Sequence, residues 1–429
     1  MIVLTAMIAA FTVIVSGKSA AADIDPEPGV PETVTADALP TWQINGVVWD
    51  QVTVGNTVYA VGEFTKARPP GAAPGDPREV DRHNILAYDI TTGELLPFAP
   101  VLNGEGRVIA KSPDETRIYV GGNFTTVNGL PRSRLVAFDT ATGAIDPAWT
   151  PSASSLVRAI AVSDTTVYVG GNFGILNGRT RERIGAVTRD TGALLPWYPR
   201  VDHEVWALLM SPDDSRVILG GKFQTLNGEP RVGIGAVDPV TAESMPWSSS
   251  PLPARTPNGN GSYVTDLTHD GTYVYASNNG DGWHYFDGRF AVDPNTGDLI
   301  WLDNCYGASY SVFVMGQVLY TVGHPHDCRS LDAFPETNPA TWHRAIATTT
   351  YPVGNDPAPP SNGSNYSGQP VPRLLHWFPA VNAGTYTGQY QGGWSLTGNE
   401  RYLAMGGEFT QVNGRPQQGL TRFAIKSLA

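Results

Sequence analysis

The chain has 429 residues, a formal net charge of −12 and only 16% charged residues. That balance excludes nucleic acid and an anionic membrane as main partners, because both demand clustered Lys and Arg. The 41% hydrophobic content allows a large core, and 47 Gly with 35 Pro suit many short strands and turns better than long helices.

The chain opens on an apolar run, residues 1–17, followed by KSAAAD (18–23). A short hydrophobic run before small residues reads as an export signal cleaved near Ala22, with no membrane insertion afterwards. Its length, close to 17 residues, leaves a membrane anchor as the alternative. Residues 23–38 are rich in Pro, Glu, Asp and Thr and read as a disordered leader.

From residue 39 onward a block recurs about every fifty residues. It reads IYVGGNFTTVNG (118–129), VYVGGNFGILNG (167–178), VILGGKFQTLNG (217–228) and YLAMGGEFTQVNG (402–414). Such self-similarity marks a repeat architecture. One unit runs through a strand (156–162), a strand ending in Gly-Gly (167–171), an Asn-Gly turn (177–178), a third strand (184–187), an Asp-Thr-Gly turn (190–192) and a short fourth strand carrying Trp197. Four short antiparallel strands per unit describe a β-propeller blade.

Seven units begin near Val47, Arg107, Leu156, Val205, Tyr263, Ser309 and Gly392. The last ends on its third strand, LTRFAI (420–425), while LPTWQ (39–43) matches the fourth-strand phrase DPAWT (146–150). The expected fold is an all-β, seven-bladed β-propeller over 39–429, closed by an N-terminal strand that completes the last blade and leaves no free edge. Trp149, Trp197, Trp247, Trp301 and Trp377 recur at one place and should pack between neighbouring blades. Cys305 and Cys328 are the two cysteines. In an exported chain an even count favours a disulfide over two separate buried thiols.

The order Gly-Gly, Phe-Asp, Trp resembles kelch-type propellers, and GGNFTTVNG looks like the delta-60 repeat of secreted bacterial propellers. HPHDC (324–328), Phe334, WHRA (342–345) and LLHWF (374–378) are similar to a family of exported actinobacterial propellers. The resemblance implies the fold and export and names no activity, since propellers host enzymes, lectins and docking platforms. AVDPNTGDLIW (291–301) also fits the tryptophan-docking phrase of quinoprotein dehydrogenases. Those enzymes carry adjacent cysteines, whereas Cys305 and Cys328 stand 23 positions apart, so the phrase reads as blade packing.

Function is expected where the repeat breaks. In the fifth unit the Gly-Gly block becomes SNNGDGWHYF (277–286), and in the sixth VGHPHDC (322–328). Together with the starts of neighbouring first strands, these loops gather Trp206, Tyr263, Trp283, His284, His324, His326, Asp327 and Trp394 on one face. Aromatic rings cover sugar C–H faces while His, Asn and Asp supply directional hydrogen bonds, so the expected ligand is a glycan of a cell surface or extracellular polymer.

A docking subunit of an extracellular assembly is the competing class. Its partner protein would meet the inserted loops 66–82 and 353–372. Enzymatic readings are weaker, and no cofactor is expected. His324, His326 and Asp327 suit a transition metal only with a distant ligand such as His284, His343 or His376. A copper-radical oxidase would need a Tyr–Cys crosslink and hence a free cysteine. A glycosidase would need two facing carboxylates among Glu204, Asp266, Asp281, Asp303 and Asp327, which nothing in the sequence pairs. Nucleophile-elbow, phosphate-loop and zinc-protease motifs are absent.

Overall fold

The computed structural model describes residues 26–248, 250–252, 261–281, 285–357 and 365–429. It is all-β apart from two short 3-10 turns, and among the described residues no helix is long and apolar enough to cross a membrane.

Among the described residues seven antiparallel sheets of three or four strands, each opened by a leading strand, follow one another along the chain, beside a smaller three-stranded sheet near the N-terminal segment. Their leading strands are Val47–Val54, Gly106–Lys111, Val157–Val162, Val205–Met210, Ser262–His269, Ser309–Met315 and Gly393–Gly398. Each starts within a residue of the position that the repeat marks. Successive leading strands lie against each other, and Gly393–Gly398 lies against Val47–Val54. Gln51 Nε2 donates to Ser395 Oγ at 3.2 Å across that contact, and the Thr53 and Thr397 hydroxyls meet at 2.9 Å.

The expected fourth strand is complete only in sheets five (Leu299–Asp303) and six (Pro370–Leu375). In sheets one to four it shrinks to single bridges, Tyr88–Leu95, Phe138–Ile145, Val187–Leu194 and Val237–Ser244. Pro97, Pro147, Pro196 and Pro246 follow within two residues of those bridges. Proline has no N–H for the ladder and stops it there.

The N-terminal segment departs from expectation in two ways. The stretch read as a disordered leader packs where it is described: Val34 and Thr35 are buried, and Val34 N donates to Tyr320 Oη at 2.8 Å. It is also the segment beside the last sheet. Thr35 N donates to Ala424 O and Leu39 N to Arg422 O, both at 2.8 Å. Gln43 and Ile44 turn away and pair instead with Arg68 and Ala67. Buried Arg422 holds the junction, donating to Pro40 O, Ile90 O and Thr41 Oγ1. Val34 and Ala38 find apolar neighbours there, which composition averaged over the leader conceals.

Packing between sheets explains the repeated residues. Trp149, Trp197 and Trp301 donate through Nε1 to Thr188 O (3.2 Å), Asp238 O (2.9 Å) and Thr350 O (2.8 Å) of the following sheet. Trp377 does the same to Thr35 O at 3.2 Å. The first glycine of each Gly-Gly pair makes room for a valine of the next leading strand. A Cβ on Gly121, Gly170, Gly220 or Gly406 would stand 2.6, 2.8, 2.5 or 2.5 Å from Val157, Val205, Val264 or Val48. At two contacts the partners are exchanged: Gly106 faces Val61 and Gly393 faces Val322. Asn128, Asn177, Asn227 and Asn413 take φ of 47–52° at the Asn-Gly turns, a left-handed conformation that asparagine tolerates.

Cys305 and Cys328 form a disulfide tying the approach to the sixth leading strand to the loop after its second strand. The insert at 66–82 is anchored rather than loose. Lys66–Arg68 and Val80–Asp81 make a small sheet with Gln43–Ile44, and buried Arg68 donates to Ile44 O, Ala72 O and Gln418 Oε1. The insert at 353–372 continues a hairpin of Ala345–Asn355 and Pro370–Leu375, and its residues 358–364 lie outside the described residues.

Candidate functional site

Every leading strand carries a register shift at the same place. The pairing skips Trp49, Arg107, Arg158, Trp206, Thr265, Tyr310 and Trp394 in turn. A β-bulge leaves one residue outside the ladder and re-aims its side chain. Here all seven side chains line a cavity of about 430 Å³ whose wall takes residues from all seven leading strands. An adjoining cavity of about 540 Å³ shares Trp49, Arg107, Arg158, Trp206, Tyr310 and Trp394, and adds Glu63, Tyr263, Asn279, Tyr386, Thr387 and Gln389. These volumes lie in the range of small-ligand sites.

The bulge residues support one another. The Arg107 guanidinium lies 3.8 Å from the centroid of Trp49, and that of Arg158 lies 4.6 Å from Trp206. Trp49 meets Trp394 edge-on at 5.0 Å, Tyr310 meets Trp394 at 4.3 Å, and Trp206 meets Tyr263 at 5.0 Å. Lys222 Nζ stands 4.3 Å from the Tyr263 ring. Glu204 accepts from Trp206 Nε1 at 3.0 Å and from Asn172 Nδ2, while Asn172 Oδ1 accepts from Arg158 Nε at 2.7 Å. Buried Glu408 accepts from Trp394 Nε1 (3.2 Å), Thr387 Oγ1 (2.7 Å) and Gln391 N (3.3 Å). It thereby fixes the loop that brings Tyr386, Thr387 and Gln389 to the wall.

Deeper in the cavity, Asp50 accepts from Gln51 N and Ile109 N, both at 2.8 Å. Burial pushes its carboxyl up to about 8, with Asp266 adding to the rise. Asp266 is raised by burial too, and accepts from Ser311 Oγ and Val312 N. Burial pulls Arg107 down to about 10, and the charge of Arg158 pulls it further the same way. At neutral pH Arg107 therefore remains charged while Asp50 is largely protonated.

Of the residues expected at the ligand face, Trp206, Tyr263 and Trp394 line these cavities. Trp283 and His284 lie outside the described residues. His324, His326 and Asp327 are not among the residues lining these two cavities, and the His324 ring stands 6.1 Å from that of Tyr310. Both ring nitrogens of His324 are engaged: Nε2 accepts from Ala308 N at 3.2 Å and Nδ1 faces Gln391 Oε1 at 3.0 Å. Burial, and then Arg344, pull its pKa down to about 4, so the ring is neutral. His326 Nδ1 faces Glu336 Oε1 at 3.5 Å, and buried Asp327 takes a fork of bonds from Arg329. These three hold the disulfide loop in shape.

Among the described residues no three His, Cys, Asp or Glu side chains come together as a metal site. The disulfide consumes the thiol that a Tyr–Cys crosslink requires. Asp303 is held by Arg289 in a fully buried pair at 2.6 Å, a structural engagement.

Trp49, Arg107 and Arg158 escape a sequence reading because they look like ordinary strand residues. Their signal is visible once the leading strands are aligned on the bulge: VWD, GRV, VRA, VWA, VTD, SYS and GWS each carry their most polar or bulkiest residue at or beside one central position.

No protein-family model and no curated protein matches the chain. Among solved structures it is similar to the computationally designed Ika8 protein, with 14% identity over 89% of this chain and 98% of that one and a TM-score of 0.45. It is also similar to a chain of a mitotic checkpoint complex, with 10% identity over 94% and 99% of the two chains and a TM-score of 0.49. Likenesses this distant carry no functional argument.

Proposed function

We propose that this chain is an exported seven-bladed β-propeller, closed by its N-terminal segment, that binds a glycan at the mouth of its axial cavity. The observation that carries the reading is the ring of bulge residues. One side chain per sheet leaves the ladder and joins a wall of Trp49, Trp206, Tyr310 and Trp394 interleaved with arginine. Flat aromatic faces match the C–H faces of sugar rings, and guanidinium, hydroxyl and amide groups between them supply directional bonds.

Seven repeating sheets, the contact of the last leading strand with the first, and the Thr35 and Leu39 bonds to the last sheet support the closed ring. Export is supported by the apolar N-terminal run and by a disulfide, a bond that persists in oxidising compartments.

The test is a glycan array with the parent and with Trp206→Ala. Trp206 is half-buried against the cavity, so its loss should weaken retention about tenfold or more while thermal unfolding stays cooperative. Equal retention by the folded variant would move the site away from this cavity.

A further inference from the structure

We infer that the site selects an acidic sugar, its carboxylate held between Arg107 and Arg158. The inference rests on the glycan reading and narrows it to a chemical class.

The two arginines occupy the same bulge position on successive leading strands, so the fold sets two guanidinium groups into one stretch of cavity wall. In a chain of net charge −12 this is a local reversal of sign. Among the described residues neither guanidinium has an ion-pair partner within 4.0 Å. Arg158 spends its Nε on Asn172, and among the described residues the Arg107 guanidinium has no hydrogen-bond partner. Like charges held together away from bulk water repel, and an arriving anion relieves the cost.

The guanidinium groups of Arg107 and Arg158 lie against the rings of Trp49 and Trp206, and an arginine held on an aromatic face can still offer its N–H edge to a ligand. A planar fork of N–H donors matches a carboxylate. Glu63 stands in the mouth wall, the charge of Glu105 acts on both arginines, and Glu204, which acts on Arg158, is already engaged by Trp206 and Asn172. Tyr310 and Trp394, beyond Trp49 on the same wall, offer the apolar faces that a sugar ring needs.

The experiment is calorimetric titration of the mature protein with oligomers of galacturonate, glucuronate-containing hyaluronan and mannuronate. Each is paired with its methyl ester, and a neutral glycan array and sulfated oligosaccharides run alongside. The expected result is binding of at least one acid, about tenfold or more weaker for its ester, with affinity falling as salt rises. Arg107→Gln and Arg158→Gln should each lose about tenfold on the acid. Arg158→Lys should recover only part, because a point charge replaces a fork. Cooperative thermal unfolding of each variant separates lost binding from lost folding.

Acid and ester binding alike, or neutral sugars preferred with both arginine variants unaffected, would overturn the acidic-sugar inference and leave the glycan reading standing. Sulfated sugars binding where every carboxylate fails would overturn the carboxylate assignment. Binding of no sugar by the folded protein would overturn both.

Discussion

In the leading strands of sheets two, three and four the residue after the bulge is Val108, Ala159 or Ala207. In sheets five, six, seven and one it is Asp266, Ser311, Ser395 or Asp50. The first group joins its neighbours by apolar fit, with Gly121, Gly170 and Gly220 each receiving a valine. The second group adds a hydrogen-bonded seam. Asp266 accepts from Ser311 Oγ, Ser311 Oγ from Leu396 N, Ser395 Oγ from Gln51 Nε2, and Asp50 from Ile109 N. In sheets two, three and four, where the Gly-Gly block is intact, the fit is apolar, and sheet seven combines an intact Gly406-Gly407 pair with the Ser395–Gln51 bond. Where the block is replaced, as by Ser277 in sheet five and Val322 in sheet six, polar groups and a disulfide share the task.

The largest expected effect separates the two seams by pH. Asp50 in the polar seam, and Asp287, which accepts from Gly280 N and Gly307 N in the loop of sheet five, both have folded pKa values of about 8, raised by burial from the ordinary carboxylate range. The folded state therefore holds protons that the unfolded chain has released. Their stabilising contribution is complete below the ordinary carboxylate pKa and is lost as pH rises through about 8, a change of roughly several kcal/mol. Thermal denaturation should accordingly shift to lower temperature from pH 6 to pH 9. Asp50→Asn should flatten that slope, and a flat profile in the parent would show that the polar seam does not carry these protons.

Next in size is the disulfide. Cys305→Ser with Cys328→Ser should cost about 3 kcal/mol in denaturant unfolding, from the loop entropy of the unlinked chain. The effect belongs to the irregular side, where Cys305, Cys328 and Ile346 form only a small buried cluster with Leu331, Phe334 and Phe378 at its margin. Hydrogen exchange should rise first around 324–345. Uniform acceleration through sheets two to four would make the two sides one cooperative unit.

The smallest effect probes the apolar seam. Gly220→Ala sets a Cβ 2.5 Å from Val264 Cγ1 and should cost about 1–3 kcal/mol through overpacking. Adding Val264→Ala should return part of that loss, giving a non-additive cycle. Strict additivity would mean that the two residues do not press on each other.

The scaffold was legible because it repeats. Unit starts, inter-sheet tryptophans, Asn-Gly turns and the cysteine pair all follow from local chemistry read in several copies. The glycine pairs were legible only as places of close approach. What approaches them is a valine about thirty-five residues or more away, which no single unit reveals. The site was half legible. Trp206, Tyr263 and Trp394 stood out as aromatics, but Arg107 and Arg158 reach the cavity through a backbone register shift, and register is absent from composition. The histidine loop was legible in its residue types and not in its contacts. His324 looks available in sequence, while the groups that engage it, Ala308 N and Gln391, come from other segments.

The bulge has a consequence for descent. A chain built by copying one unit inherits the same side chain at every position around its axis, and a ladder residue can change only as far as its strand partners allow. The unpaired position escapes that constraint. Each copy can therefore alter one letter facing the axis while its sheet is preserved, and Trp, Arg, Arg, Trp, Thr, Tyr and Trp spell one such word. On the proposed function, relatives with the same unit and a different seven-letter word would keep this architecture and bind a different molecule.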